Sequence, residues 1–119
     1  DDIIKVSAYK PRDIQEAVKG LLGQFGDRLK MTISGDMWMD AMASGVCKGQ
    51  AIRVLQESLD IRPEETMAFG DQLNDMEMLE RSYYSFAVAN AREEVRKAAR
   101  FQADANVEKG VLKILKLLL

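Results

Sequence analysis

Ten residues, Thr66 to Asp75 (TMAFGDQLND), constrain this chain more than any others. Thr66, Met67, Ala68 and Phe69 form a short apolar run that stops at Gly70. Such a run between turn signals suits a strand covered on both faces, as in a parallel sheet with helices above and below. Ligands bind outside the carboxyl ends of strands in sheets of that kind. Gly70 allows a tight turn and close approach of a ligand. Asp71 and Asp75 then present two carboxylates four residues apart, with Asn74 between them. Two carboxylates and an amide oxygen are hard donors that suit a partly hydrated Mg²⁺. A competing reading makes Asn74 or Asp75 simply the N-cap of the next helix. That reading leaves Asp71 unexplained, and capping does not exclude metal binding.

At 119 residues and 47% hydrophobic, the chain has the size of one domain, or of parts of two. Its 17 basic and 19 acidic residues are interspersed, so no basic face for nucleic acid is expected. With no His, neither a His-dependent triad nor a His-ligated zinc site can be built from this chain alone. The single Cys47 cannot form an internal disulfide, which agrees with a reducing compartment, and the expected location is the cytoplasm. The apolar stretch 111–119 is short and interrupted by Lys113 and Lys116, so no membrane span is expected. The sequence opens on Asp1 without a methionine or a signal segment, which reads as a processed or truncated product.

Taken in order, Ile4, Val6 and Ala8 alternate with polar neighbours and predict a half-buried strand. A helix starting at Pro11 places Ile14, Ala17, Val18, Leu21, Leu22 and Phe25 on one face and ends near Gly26. Leu29, Met31 and Ile33 alternate again, and Ser34-Gly35-Asp36 separates them from an extended stretch, Met37 to Met42, as an antiparallel pair. Met37, Trp38 and Met39 read as packing residues rather than as a ligand box. Small residues 43–46 then mark a boundary, with residues 1–43 as one unit and 44–119 as another. A helix opening at Lys48 and Gly49 places Ala51, Ile52, Leu55 and Leu59 on one side. Leu73, Met76 and Leu79 predict a short helix, and Tyr84 to Val88 a buried strand. Asn90 and Glu93 have the spacing of a capping box for a helix through Arg100. A final helix carries Val111, Ile114, Leu115 and Leu118. Strands alternating with helices from Lys48 onward predict a parallel α/β layer structure.

Lys48 gains meaning from its position. Alone, a Lys opening a helix is a solvated charge. Here it starts the helix that precedes the strand ending in GDxxND. Three segments, KGQAIRVLQESLDIRPEETMAFGDQLNDMEMLE, VANAREEVRKAA and ANVEKGVLKIL, follow one another at natural spacing. Together they closely resemble the C-terminal part of the Cof-type subfamily (subfamily IIB) of haloacid dehalogenase-like phosphatases, over about residues 29–119.

The resemblance implies a three-layer Rossmann-like α/β/α core, present in part, with residues 1–43 as the end of an α+β cap that closes over the site. By the same resemblance Lys48 is catalytic and neutralises the transferring phosphoryl group. Asn74 helps Lys48 hold the substrate phosphate, Asp71 is a Mg²⁺ ligand, and Asp75 supports the metal site beside it. Such roles suit phosphoryl transfer, which rests on positioning and on cations that offset oxygen charge. The implied partner is a small phosphorylated substrate, and a phosphomutase would share this architecture. Members of the family also carry an N-terminal DxD motif that supplies the nucleophile, and a Ser/Thr motif; neither occurs here. Asp1-Asp2, Asp13, Asp36 and Asp40 do not replace them. The 119 residues alone are therefore expected to be inactive. A different class of reading keeps the scaffold for binding or self-association without catalysis. A bare sheet edge beside the Thr66 strand would favour a homodimer.

Overall fold

A computed structural model describes residues 3–33 and 37–119 and divides into two compact units, one through Val46 and one from Cys47 to Leu119. In the first unit, β1 (Lys5–Tyr9) is followed by α1 (Ile14–Phe25), β2 (Leu29–Ile33) and β3 (Trp38–Ala43). The strands form an antiparallel sheet in the order β1-β3-β2, with Asp40 opposite Ser7 on one side and Thr32 on the other. The turn expected at Ser34-Gly35-Asp36 lies outside the described residues.

Alternation decides which side chains meet α1. Ile14 and Val18 of the helix are buried against Met39, with Leu21, Met31 and Ile33 packed around them. The other face of the sheet carries Lys5, Ser7, Tyr9, Trp38 and Asp40. There Trp38 lies 5.0 Å from the Tyr9 ring, and the Asp40 carboxylate accepts from Ser7 Oγ at 2.6 Å and Lys5 Nζ at 3.3 Å. Met39 is thus a core residue, whereas Trp38 packs on an aromatic neighbour while 47% exposed. Two expectations need correction. The helix begins at Ile14 rather than Pro11, because Asp13 takes a left-handed conformation (φ 57°). β1 is exposed along its whole length, because β3 covers only one of its edges and α1 packs beyond it.

The second unit runs α2 (Lys48–Leu59), β4 (Met67–Gly70), α3 (Met76–Glu80), β5 (Tyr84–Val88), α4 (Glu93–Ala98), β6 (Phe101–Ala103) and α5 (Gly110–Lys116). Its sheet is parallel in the order β4-β5-β6, and Gly70 stands beside Ala87 as Val88 stands beside Ala103. Leu79 of α3 and Val95 of α4 are buried against Ala68 and Ala87 on one face. On the other face Phe69, Phe86 and Phe101 stack at successive centroid distances of 5.2 Å, and Ile114 of α5 packs beside them. The expected α/β layering is therefore present. Gly49 allows α2 to reach α3, since a Cβ there would stand 2.5 Å from the Glu77 carbonyl oxygen.

Three local expectations differ from the structure. Leu55 and Leu59 of α2 are 53% and 62% exposed, so the helix buries little of its apolar side within this chain. Asn90 makes no capping box; its side-chain oxygen instead accepts the backbone N–H of Asn106 at 2.9 Å. The helix ends at Ala98, and Phe101–Ala103 form a third strand because Arg100 N–H is captured by Ser85 Oγ at 3.1 Å and the chain then pairs with β5.

Candidate active site

Three elements meet at the carboxyl end of β4. Cys47 starts α2 in an extended conformation, its sulfur accepting the Gln50 N–H at 3.3 Å, and Lys48 is the first residue of the helix. β4 ends at Gly70, and the chain enters a single 3₁₀ turn, Leu73–Asp75, that leads into α3. The Asp75 side chain does not cap α3. It turns back, and its Oδ2 accepts the backbone N–H groups of Asp71 and Gln72, each at 3.0 Å. Its Oδ1 pairs with the Lys48 ammonium. One carboxylate, only 5% exposed, thus joins the start of α2 to the turn after β4.

Burial by itself would push the Asp75 carboxyl up. The Lys48 ammonium and the two N–H donors outweigh it and hold the group below its ordinary value of 3.8. Asp71 follows β4 directly, its own N–H tied to Asp75 and its carbonyl accepting Arg92 N–H at 3.1 Å. Asn74 lies in the same turn, with Oδ1 buried and without a hydrogen-bond partner. A buried oxygen left this way is costly unless something else satisfies it.

Lys48, Asp71, Asn74 and Asp75 therefore gather around one turn, whereas the role of Gly70 differs from the one expected. Its φ is not positive, and among the described residues Gly45 is the only glycine that needs a left-handed backbone. What Gly70 provides is room: a Cβ there would stand 2.7 Å from the Asp75 Cβ and 3.2 Å from Leu79 Cδ1. Gly70→Ala is accordingly expected to destabilise the second unit by about 1–3 kcal/mol, the usual cost of overpacking. Urea unfolding checks this, and a midpoint equal to wild type would show that the turn can retreat.

Gln72 of this turn and Arg92, which bonds to it, carry no motif that marks them in the sequence. Arg92 Nε donates to Gln72 Oε1 at 3.2 Å across 20 residues, a pairing with no local signal. Among the described residues no cluster of three or more His, Cys, Asp or Glu could alone enclose a metal ion, and no helix is long and apolar enough to cross a membrane.

Residues 1–115 match the family described as haloacid dehalogenase-like hydrolase. The chain belongs to that family. Among the relatives of this haloacid dehalogenase-like chain is the 5-amino-6-(5-phospho-D-ribitylamino)uracil phosphatase of Escherichia coli, 35% identical over 102 residues, which are 86% of this chain and 38% of the relative. A solved Streptococcus mutans protein superposes with a TM-score of 0.87 at 34% identity over 97% of this chain and 44% of its own. A subclass IIB sugar phosphatase superposes at 0.86 with 26% identity, over 99% of this chain and 44% of its own. The chain thus spans less than half the length of these relatives. The likeness to Cof-type subfamily IIB phosphatases extends across both units.

Proposed function

We propose that these residues serve a Mg²⁺-dependent phosphatase that acts on small phosphorylated metabolites in the cytoplasm through an aspartyl phosphate. The observation that carries this reading is one buried carboxylate, that of Asp75, which holds the Lys48 ammonium and the Asp71 turn together at the end of β4. In this reading residues 1–43 belong to a cap and residues 44–119 to the catalytic core.

The donors of the turn fit a hard cation: carboxylates at Asp71 and Asp75, and the orphaned Asn74 Oδ1. Asp71 would hold Mg²⁺ directly. Asp75, with its oxygens engaged by Lys48 and two N–H groups, would support that site through the turn it fixes. When bound, Mg²⁺ offsets charge on the phosphoryl oxygens. Lys48 does the same from the start of α2, and its pairing with Asp75 keeps it aimed at the turn. Asn74 offers its amide N–H to a phosphate oxygen. The attacking carboxylate must come from outside these 119 residues, since none of their aspartates stands in a DxD motif.

The test is to graft this chain over the 102 matched residues of the Escherichia coli phosphatase. Mg²⁺-dependent hydrolysis of an aryl phosphate is expected from the chimera and not from its Asp71→Ala variant. The 119-residue chain alone should show no turnover above its own Asp71→Ala control. A folded but inactive chimera would count against the phosphatase reading.

One observation favours the second reading, a silent scaffold that self-associates. Among the described residues β4 has one strand neighbour, β5, and Met67, Tyr84, Phe86 and Phe101 line an apolar groove beside α5. Sedimentation equilibrium decides it, and a monomer at micromolar concentrations removes it.

A further inference from the structure

Arg92 stands at the start of α4, at the end of the segment after β5, yet two of its hydrogen bonds go to the turn after β4. Its backbone N–H donates to the Asp71 carbonyl at 3.1 Å, and its Nε donates to Gln72 Oε1 at 3.2 Å. Gln72 is in turn fixed by its own N–H on Asp75 Oδ2 at 3.0 Å. On the other side, Asn90, two residues before Arg92, takes the Asn106 N–H at 2.9 Å. The segments that follow β4, β5 and β6 are therefore tied in series along one end of the sheet, and Asp71 sits where the tie crosses from β4 to β5.

We propose that Arg92 and Gln72 are positioning residues: together they clamp the peptide that carries Asp71 and so set how tightly its carboxylate binds a divalent cation. The inference rests on the reading of Asp71 as a cation ligand. Its physical basis is general. A ligand carboxylate binds well only when the backbone beneath it is held, and partners outside the coordination shell contribute to affinity for that reason. Asp75 holds the N–H side of the Asp71 peptide unit, and Arg92 holds the carbonyl side. Without the Arg92 side chain only its backbone N–H remains, and the Gln72 amide loses the partner that ties it to the β5 segment.

The test uses the ¹⁵N-labelled 119-residue chain with Mn²⁺ as the probe, and reads the paramagnetic broadening of amide signals. Broadening centred on residues 71–75 is expected, and Asp71→Ala should abolish it. Arg92→Ala should raise the apparent dissociation constant about tenfold, the lower end of what outer partners contribute. The reversed pair, Gln72→Arg with Arg92→Gln, should recover most of that loss, a rescue that general loosening of the fold would not give. Amide exchange at Val95 and Leu79, in the core beneath the turn, should stay unchanged in all three variants. Wild-type Mn²⁺ affinity in Arg92→Ala, alongside lost affinity in Asp71→Ala, would overturn the inference and leave the metal reading intact. Broadening that Asp71→Ala does not alter would overturn the metal reading and the affinity half of the inference with it. Amide exchange at Asp71 and Gln72 would then judge the clamp: faster exchange in Arg92→Ala supports it, and unchanged exchange overturns it.

Discussion

Lys48→Ala, placed in the chimera with the Escherichia coli phosphatase, is expected to lower kcat for aryl phosphate hydrolysis by about 10²–10³, the loss seen when one preorganised charge-stabilising donor is removed. The effect should fall on kcat more than on KM, because the phosphoryl oxygens need the cation most while the group is in transfer. Lys48→Arg should recover only part of the rate. A guanidinium keeps the charge but is a planar fork in place of a compact ammonium. Lys48 is half-exposed and stands on the first turn of α2, so the variant should stay folded, although some stability is lost because the buried Asp75 carboxylate then relies on its two backbone N–H donors. Circular dichroism of the variant checks that separation, and an unchanged kcat in a folded chimera would remove Lys48 from the catalytic set.

Asp75→Ala should have the largest effect on stability, about 3 kcal/mol, since it strands two backbone N–H donors and a lysine beside a buried position. Urea unfolding at neutral pH measures it. The pH dependence provides a second signature. Because the Asp75 carboxyl is held below its ordinary value, its contribution is complete above the unfolded pKa, about 3.9, and is lost as pH falls through the lower folded value. The stability difference between wild type and Asp75→Asn should therefore be constant from neutral pH down to about pH 5 and shrink below pH 4. A difference that grew with acid would mean that burial, and not the Lys48 pairing and the N–H bonds, controls the group.

What the sequence made legible was periodicity and punctuation. Ile33 and Met39 alternate into a core, Phe69 ends an apolar run at a glycine, and Tyr84 to Val88 read as a strand and are one. Partners distant along the chain were not legible. Asn90 has a capping spacing with Glu93, but a backbone N–H sixteen residues on competes for its side chain and takes it. Phe101–Ala103 is too short for a period of two to register, and its strand character comes from β5 and the Ser85 hydroxyl. The apolar side of α2 was visible as a pattern, whereas what covers it was not. The motif residues were found because they lie within four positions of each other or at a helix start. Gln72 and Arg92 escaped because glutamine and arginine on a surface carry no pattern of their own. At Gly70 the sequence shows a turn signal, but not that Asp75 fills the space a Cβ would take.

The aromatic residues are divided between the units in a way that gives each its own optical reporter. Trp38, the only tryptophan, belongs to the first unit and lies against Tyr9. Tyr83, Tyr84 and the stack of Phe69, Phe86 and Phe101 belong to the second. Indole emission during heating therefore follows the first unit alone, while the phenylalanine dichroism is weighted to the second, which holds three of the four phenylalanines. One unlabelled sample, scanned at two wavelengths, can tell whether the two melt as one cooperative body or in succession.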